Sequence, residues 1–173
     1  MIKPIDEIPM NAQQSRKSYR DEIRNDIREA MEKGIDKFEF VGEYNYKYLH
    51  QYAREEADRI KRELFSKVIY KNRERWKSQY PEASVPTFYD FHRNSQLEMF
   101  SVSSIKGETP DKRRVFCRIS MTADEYMKRL EELIDVMMPE RQKQGAAYRK
   151  MREMRQRPKL KLEGYDDDEQ GSV

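Results

Sequence analysis

The residue types that most often carry catalytic chemistry are scarce in this chain. His50 and His92 are its only histidines and Cys117 is its only cysteine, whereas a zinc site needs three or four converging ligands. The chain has no Cys-x-x-Cys, no His-Glu-x-x-His and no Gly-rich phosphate-binding loop. Cys117 could act as a nucleophile beside His92, but a lone cysteine in an alternating segment is typical of a small buried hydrophobe. We therefore expect no catalytic residue, no metal and no cofactor.

A row of arginines near the N-terminus has the spacing of a binding face. They recur every fourth residue, at Arg16, Arg20, Arg24 and Arg28. This spacing keeps side chains near one face of a helix, where they could bind a phosphate backbone or an acidic partner surface. Within the same helix, four acids lie at ion-pairing spacing: Asp21, Glu22, Asp26 and Glu29. The pattern therefore predicts either a binding face or a self-paired, solvated face.

A tyrosine-rich segment follows this row. Tyrosines make rigid contacts at interfaces and stack on nucleic-acid bases, and Lys47 adds a cation beside Tyr44 and Tyr46. We predict that these three residues bind a partner. In the alternative interpretation, Tyr48 and Tyr52 close the hydrophobic core and keep their hydroxyl groups in water.

The C-terminal end separates positive from negative charge. Residues 140–162 contain nine bases and two acids, a net charge of +7, whereas residues 163–173 contain five acids and no base. A helix of this kind can bind phosphates and release counterions, which makes candidates of Arg149, Lys150, Arg152, Arg155 and Arg157. The acidic run could mimic phosphates through Asp166, Asp167 and Asp168. Alternatively, the helix is solvated and the tail screens it.

Hydrophobic periodicity supplies the elements that position these residues. The spacing of apolar residues predicts helices over 16–33 and from about 45 to 79, and a third helix begins at a Thr-x-x-Glu capping box at Thr122. Two alternating runs around a Gly/Pro connector predict a hairpin over 97–103 and 113–119. The predicted fold is α+β, mostly helical, with a small antiparallel β-sheet around this central hairpin and a long second helix.

Prolines and charge suggest where the chain divides. We expect an N-terminal arm over 1–14 and a single α+β domain over 15–139. A basic helix over 140–157 and a disordered basic-to-acidic tail over 158–173 would follow. Pro139 can end the third helix or open a new one at its first position.

The composition limits the class of protein. The chain has 173 residues, of which 39% are charged, yet its net charge is only +3. No apolar run reaches the roughly 20 residues that cross a bilayer, and the first ten residues lack the apolar centre of a signal peptide. We expect a cytoplasmic protein with no membrane partner.

The first third of the chain resembles a known group of proteins. The helix Ser15–Gly34, the segment Lys37–Tyr48 and the segment Ala53–Ala57 look like small accessory proteins of phages and mobile elements, among them type II-A anti-CRISPR proteins. The resemblance implies a non-enzymatic inhibitor in the bacterial cytoplasm that binds Cas9 or its guide RNA complex. Many such inhibitors present acidic surfaces, whereas this chain is net basic. The resemblance therefore implies local mimicry by Asp166–Asp168, with the basic helix contacting guide RNA or DNA.

The predicted function is accordingly binding, not catalysis. We expect a mobile-element protein that engages nucleic acid or a nucleoprotein, as a Cas9 inhibitor in its most specific form. The alternatives are a DNA-binding transcriptional regulator, a cryptic metal-dependent nuclease and an oligomeric structural protein held together by the second helix. The sequence leaves the oligomeric state open.

Overall fold

The computed structural model describes residues 12–41, 46–106 and 113–164, with side chains for residues 17–41, 48–106 and 114–156. This part of the chain contains the following elements in order: α1 (Ala12–Lys33), β1 (Lys37–Glu39), α2 (Tyr46–Gln79), β2 (Phe100–Lys106), β3 (Arg113–Ile119) and α3 (Ala123–Gly164). Two short 3₁₀ turns, Phe88–Asp90 and Ser95–Leu97, lie between α2 and β2. The predicted class, α+β and mostly helical, is confirmed.

Helix α1 buries the predicted apolar stripe and ends at the predicted glycine. Ile23 and Ile27 are fully buried. Gly34 has φ of 70°, a left-handed conformation that glycine adopts without steric cost. The N–H of Ile35 donates to the carbonyl of Ala30 at 2.9 Å, which is the long hydrogen bond of a Schellman cap. The helix begins at Ala12, inside the predicted N-terminal arm.

The sheet is antiparallel with strand order β1-β3-β2. Strands β2 and β3 form the predicted hairpin, although β2 spans Phe100–Lys106 and not 97–103. Strand β1 pairs with the other edge of β3, so that Cys117 has Phe38 on one side and Val102 on the other. This arrangement leaves Cys117 in the central strand, where it is fully buried.

The chain forms two compact units, and helices α2 and α3 contribute to both. The first unit comprises residues 1–68 and 88–130, and the second comprises residues 69–87 and 131–173. The predicted division into a domain over 15–139 and a basic helix over 140–157 stays a prediction.

In the first unit, the helices and the sheet share one hydrophobic core. Leu49 and Ala53 of α2, Val115 of β3, and Tyr126 and Leu130 of α3 are all at most 1% exposed. Full burial of a large apolar side chain contributes about 1.5–3 kcal/mol of transfer free energy. Helix α3 begins at the predicted cap, because the hydroxyl of Thr122 accepts a hydrogen bond from the N–H of Glu125 at 3.1 Å.

In the second unit, a carboxylate of α3 ties α3 to α2. The indole N–H of Trp76 donates to Oδ1 of Asp135 at 2.8 Å, and the guanidinium of Arg75 donates to the same oxygen at 3.1 Å. Lys71 and Arg75 also lie within 3.7 Å of the Glu131 carboxylate. Trp76 is itself 4% exposed, so its polar atom has a partner inside the packed unit.

Helix α3 continues through Pro139 to Gly164, which differs from both predicted outcomes at this proline. A proline inside a helix removes one hydrogen bond and normally costs about 3 kcal/mol. Contacts on both sides of Pro139 favour the continuous helix: Met138 is buried and the side chain of Gln142 accepts a hydrogen bond from the N–H of Glu82. Residues 158–164, which were predicted to be disordered, are the last turns of α3, and residues 165–173 lie outside the described residues.

Candidate nucleic-acid interface

The arginine row of α1 faces the acidic residues of α2. Arg20 contacts Glu55 at 2.5 Å, and Arg28 contacts Glu63 at 2.7 Å. From Arg20 to Arg28 along α1, the partner on α2 changes from Glu55 to Glu63. Because both residue numbers increase in the same direction, α1 and α2 run parallel at this surface. The side chain of Arg16 lies outside the described side chains. The arrangement differs from both predicted outcomes: Arg20, Arg24 and Arg28 are ion-paired, but Glu55, Glu56 and Glu63 of α2 supply most of their partners, and the pair of Arg24 with Glu56 is not solvated.

Glu56 is the centre of this pairing. Its side chain is 2% exposed, and its carboxylate lies 2.5 Å from Arg24, 3.6 Å from Arg20 and 3.9 Å from Arg59. Burial lowers the pKa of Arg24, but hydrogen bonds to Glu56 and Asp21 and attraction to both carboxylates raise that pKa overall. A buried carboxylate is tolerated when cations and hydrogen bonds surround it. The cluster therefore holds α1 against α2.

A cavity of about 810 Å³ opens beside the cluster in the first unit. Its wall includes Tyr48 and Tyr52, whose rings stack at a centroid distance of 5.9 Å. The guanidinium of Arg20 lies 4.5 Å from the centre of the Tyr52 ring, a cation–π arrangement. Lys17 and Arg59 add cations to the same wall.

The residues predicted to bind through the tyrosine-rich segment lie outside the part of the chain whose side chains the structure describes. Tyr44 lies outside the described residues. Tyr46 and Lys47 form the start of α2, but their side chains lie outside the described side chains. Tyr52 is 8% exposed, in agreement with its alternative interpretation as a residue that closes the core.

The basic segment of α3 contains cations that have partners within the second unit and cations that have none among the described residues. One face packs on the loop 80–86 of the same unit. The guanidinium of Arg149 contacts the Glu82 carboxylate at 3.0 Å, and Arg141 donates to the hydroxyl of Ser84 at 2.8 Å. Gly145 lies so close to this loop that an added Cβ would overlap the backbone carbonyl of Glu82. On this face, Arg149 is therefore ion-paired with a carboxylate of the same unit.

Other cations of this segment are exposed to solvent. Lys143, Lys150, Arg152 and Arg155 are exposed, and among the described residues none of these four forms an ion pair with a carboxylate. Lys143 and Lys150 lie on one side of the helix, whereas Arg152 lies about 200° and Arg155 about 140° around the helix axis from Lys150, so the four cations form a basic surface around the helix. We call these four residues the α3 basic face. The side chain of Arg157 lies outside the described side chains, and Asp166, Asp167 and Asp168 lie outside the described residues.

Exposed apolar side chains lie among these cations. Tyr148 is 63% exposed, Met151 is 53% exposed and Met154 is 64% exposed. The guanidinium of Arg152 lies 5.3 Å from the centre of the Tyr148 ring. A cation beside an exposed aromatic ring can contact a phosphate while the ring stacks on a base. The sequence predicted the arginines of this surface as binding residues but did not predict Tyr148. The signal was that Tyr148 lies four residues before Arg152, which places the two side chains next to each other on a helix.

The residues with catalytic chemistry lie apart from this surface in sequence and are held by other contacts. Burial raises the pKa of the Cys117 thiol to about 12, so that the thiol stays protonated at neutral pH. His92 lies in an exposed turn after the first 3₁₀ turn. Nε2 of His50 lies 3.4 Å from the carbonyl oxygen of Val102. Among the described residues, no three His, Cys, Asp or Glu side chains form a group that could hold a metal ion.

Lys61 is a buried cation that the sequence did not single out. It is 9% exposed, and its ammonium group lies 5.9 Å from the ring centres of both Phe88 and Tyr126. Burial lowers the pKa of Lys61, whereas attraction to Asp58 and Glu98 opposes that shift. Cation–π contacts with these two rings stabilise the ammonium group inside the first unit.

Within the described residues, no helix combines the length and the apolar character that crossing a membrane requires. No protein-family model, curated protein sequence or solved structure matches this chain.

Proposed function

We propose that this protein binds nucleic acid, free or within a nucleoprotein, through the α3 basic face. The observation that carries the proposal is the contrast between two sets of cations. Arg20, Arg24 and Arg28 have carboxylate partners in α1 or α2, whereas the cations of the α3 basic face have no such partners among the described residues. Cations that are not neutralised within the protein are available to phosphates, and in the α3 basic face four of them lie close together on one helix.

The dimensions of the α3 basic face suit a phosphate backbone. Residues 143 to 155 span about 18 Å of helix at about 1.5 Å per residue. Phosphates along a duplex present one negative charge about every 1.7 Å of its axis, so several lie within that span. The major groove, about 12 Å wide, admits an α-helix, and on a single strand Tyr148 would stack on an unpaired base.

Salt dependence tests this proposal. Each phosphate neutralised on a duplex contributes about −0.9 to the slope of log affinity against log salt. Four contacts predict a slope of about −3.6 and a loss of affinity of about 150-fold between 50 and 200 mM salt. Fluorescence anisotropy with a labelled duplex, a labelled DNA strand and a labelled RNA strand measures these values.

Two triple variants separate the α3 basic face from charge in general. In the first, Lys150, Arg152 and Arg155 are changed to alanine, which should reduce the slope to about −0.9. In the matched control, three exposed cations elsewhere are changed to alanine, namely Arg54, Lys67 and Lys128. This control has the same net charge and should retain most of the slope. Equal losses in both variants, or no binding by the unaltered protein, would contradict the proposal.

The inhibition of Cas9 that the resemblance implies stays a prediction, and it is the most specific form of the same proposal. A guide RNA in a nucleoprotein carries the phosphates that the α3 basic face would contact. Target cleavage by a purified Cas9–guide complex, with and without this protein, tests the prediction. Inhibition that the first triple variant loses and the control retains would support it. Unchanged cleavage at saturating protein would refute the Cas9 role and leave nucleic-acid binding to be judged by the anisotropy experiment.

A further inference from the structure

A second cavity, in the second unit, has the composition of a small-molecule site. Its volume is about 310 Å³, at the lower end of the range for ligand pockets, about 300–1,000 Å³. Apolar and aromatic side chains form most of its wall, among them Ile69, Trp76, Tyr80, Val85, Pro86 and Met138. Val85 is 65% exposed although it belongs to this wall. An uncovered apolar side chain at a concave surface favours an apolar occupant.

The charged residues that line this cavity are both cations. Arg73 and Lys77 of α2 line it, and no carboxylate among the described residues does so. Both cations are exposed. Arg73 contacts the ring of Tyr70 at 5.5 Å, and neither cation forms an ion pair within the described residues. An occupant that satisfies this surface carries a negative charge at one end and an apolar body at the other.

The wall formed by the loop 80–86 is held in place before any ligand binds. The backbone N–H of Glu82 donates to the side-chain carbonyl of Gln142 at 2.7 Å, and the Glu82 carboxylate contacts Arg149 at 3.0 Å. Gly145 allows the loop to approach α3 closely. A wall fixed in this way loses little conformational freedom on binding, which increases affinity.

We propose that this cavity binds a small amphipathic anion, an apolar chain or ring that bears a single carboxylate or a similar acidic group. The apolar body lies against Trp76, Val85 and Met138, and the acidic group lies between Arg73 and Lys77. The cavity volume favours a small molecule over a folded partner. The site is independent of the α3 basic face, since its cations come from α2.

The only tryptophan of the chain is Trp76, so its fluorescence reports occupancy directly. Octanoate is the probe, and octanol and octylammonium are controls with the same chain and a neutral or positive head. We expect a saturable fluorescence change with octanoate, weaker binding of octanol and still weaker binding of octylammonium. Equal affinities for the three probes, or no saturable change, would overturn the proposal.

Surface variants test the role of the two cations. Removal of one exposed charge should weaken octanoate binding about two- to five-fold, in Arg73→Gln and in Lys77→Gln alike, and leave octanol unchanged. Lys67→Gln, on the same helix and equally exposed, is the matched control and should bind octanoate normally. An equal effect of Lys67→Gln would refute the assigned position of the acidic group.

Two further experiments test whether octanoate binds inside this cavity and whether a second copy of the chain occupies it. Ala83 lines the wall, and Ala83→Phe should abolish the octanoate signal while circular dichroism shows unchanged helix content. Retained octanoate binding in that variant would place the ligand elsewhere and overturn the proposal. Sedimentation velocity decides whether a second copy fills the cavity. A dimer that Ala83→Phe dissociates and that saturating octanoate leaves intact would assign the apolar surface to that interface and would overturn the proposal.

Discussion

Replacing Glu56 by glutamine removes one negative charge from the arginine cluster of the first unit and keeps the size of the side chain. Glu56 is 2% exposed, and its main partner Arg24 is 13% exposed, so water can replace little of the lost interaction. Removing one member of a buried ion pair costs about 3–5 kcal/mol. Arg24 keeps Asp21 at 2.6 Å, and the glutamine carbonyl can still accept one hydrogen bond. We therefore expect Glu56→Gln to lower the free energy of unfolding by about 2–3 kcal/mol.

Glu63→Gln supplies a control of the same chemistry on the same helix. The pair of Arg28 with Glu63 has side chains that are 44% and 46% exposed, and exposed pairs contribute about 0–1 kcal/mol. For a chain of this length, 1 kcal/mol shifts Tm by about 2–4 °C. Thermal unfolding followed by far-UV circular dichroism should therefore show a decrease of about 4–12 °C for Glu56→Gln and less than about 4 °C for Glu63→Gln.

The comparison between these two variants tests whether burial of the Glu56 carboxylate increases its contribution to stability. Equal Tm values for Glu56→Gln and Glu63→Gln would show that the Glu56 carboxylate is solvated in solution. A rise in Tm for Glu56→Gln would show that desolvation of the carboxylate costs more than its ion pairs return. Either result would refute the conclusion that Glu56 holds α1 against α2.

Three further predictions concern other parts of the chain. Gly145→Ala should lower stability by about 1–3 kcal/mol in urea unfolding because the new methyl group overlaps the carbonyl of Glu82; helix propensity alone would raise stability by about 1 kcal/mol. Thr122→Ala should lower the free energy of unfolding by about 1 kcal/mol through loss of the helix cap. Burial raises the pKa of the Cys117 thiol from 9.0 to about 12. At pH 9 the thiolate is therefore present in about one native molecule in a thousand, compared with about one in two for an unshifted thiol. Iodoacetamide should accordingly modify Cys117 in urea and not in the native state.

Each of these predictions has a contradicting result. A Gly145→Ala variant more stable than the unaltered protein would show that the loop 80–86 yields without cost. An unchanged unfolding curve for Thr122→Ala would mean that water replaces the cap. Alkylation of native Cys117 at the rate of a free thiol would place the central strand within reach of solvent.

Local signals in the sequence were sufficient for the ends of several elements. Gly34 stops α1 and Thr122 starts α3 because both depend on backbone groups within about one helical turn. The hairpin was found because alternation is a property of neighbouring residues. The bounds of β3 are those predicted, 113–119, whereas β2 is Phe100–Lys106 and not 97–103.

The candidate site depended on contacts distant in sequence. The arginine row was visible, but Arg20 and Arg28 meet partners 35 residues away, at Glu55 and Glu63. The sequence offered nearer acids with suitable helical spacing, and only packing of α1 beside α2 could decide between them. The same holds for Arg149, whose partner Glu82 lies in a loop that the sequence marked only by its prolines.

By itself, the sequence determined the fold class, the polar surface and the concentration of cations at the C-terminal end. These properties follow from composition and from periods of two and 3.6 residues, which act over a few neighbours. The tertiary structure alone decided which cations stay available to a partner and where the two cavities open. Ion pairing and concavity depend on which distant segments meet, and the free energy of those contacts is gained only when the chain has folded.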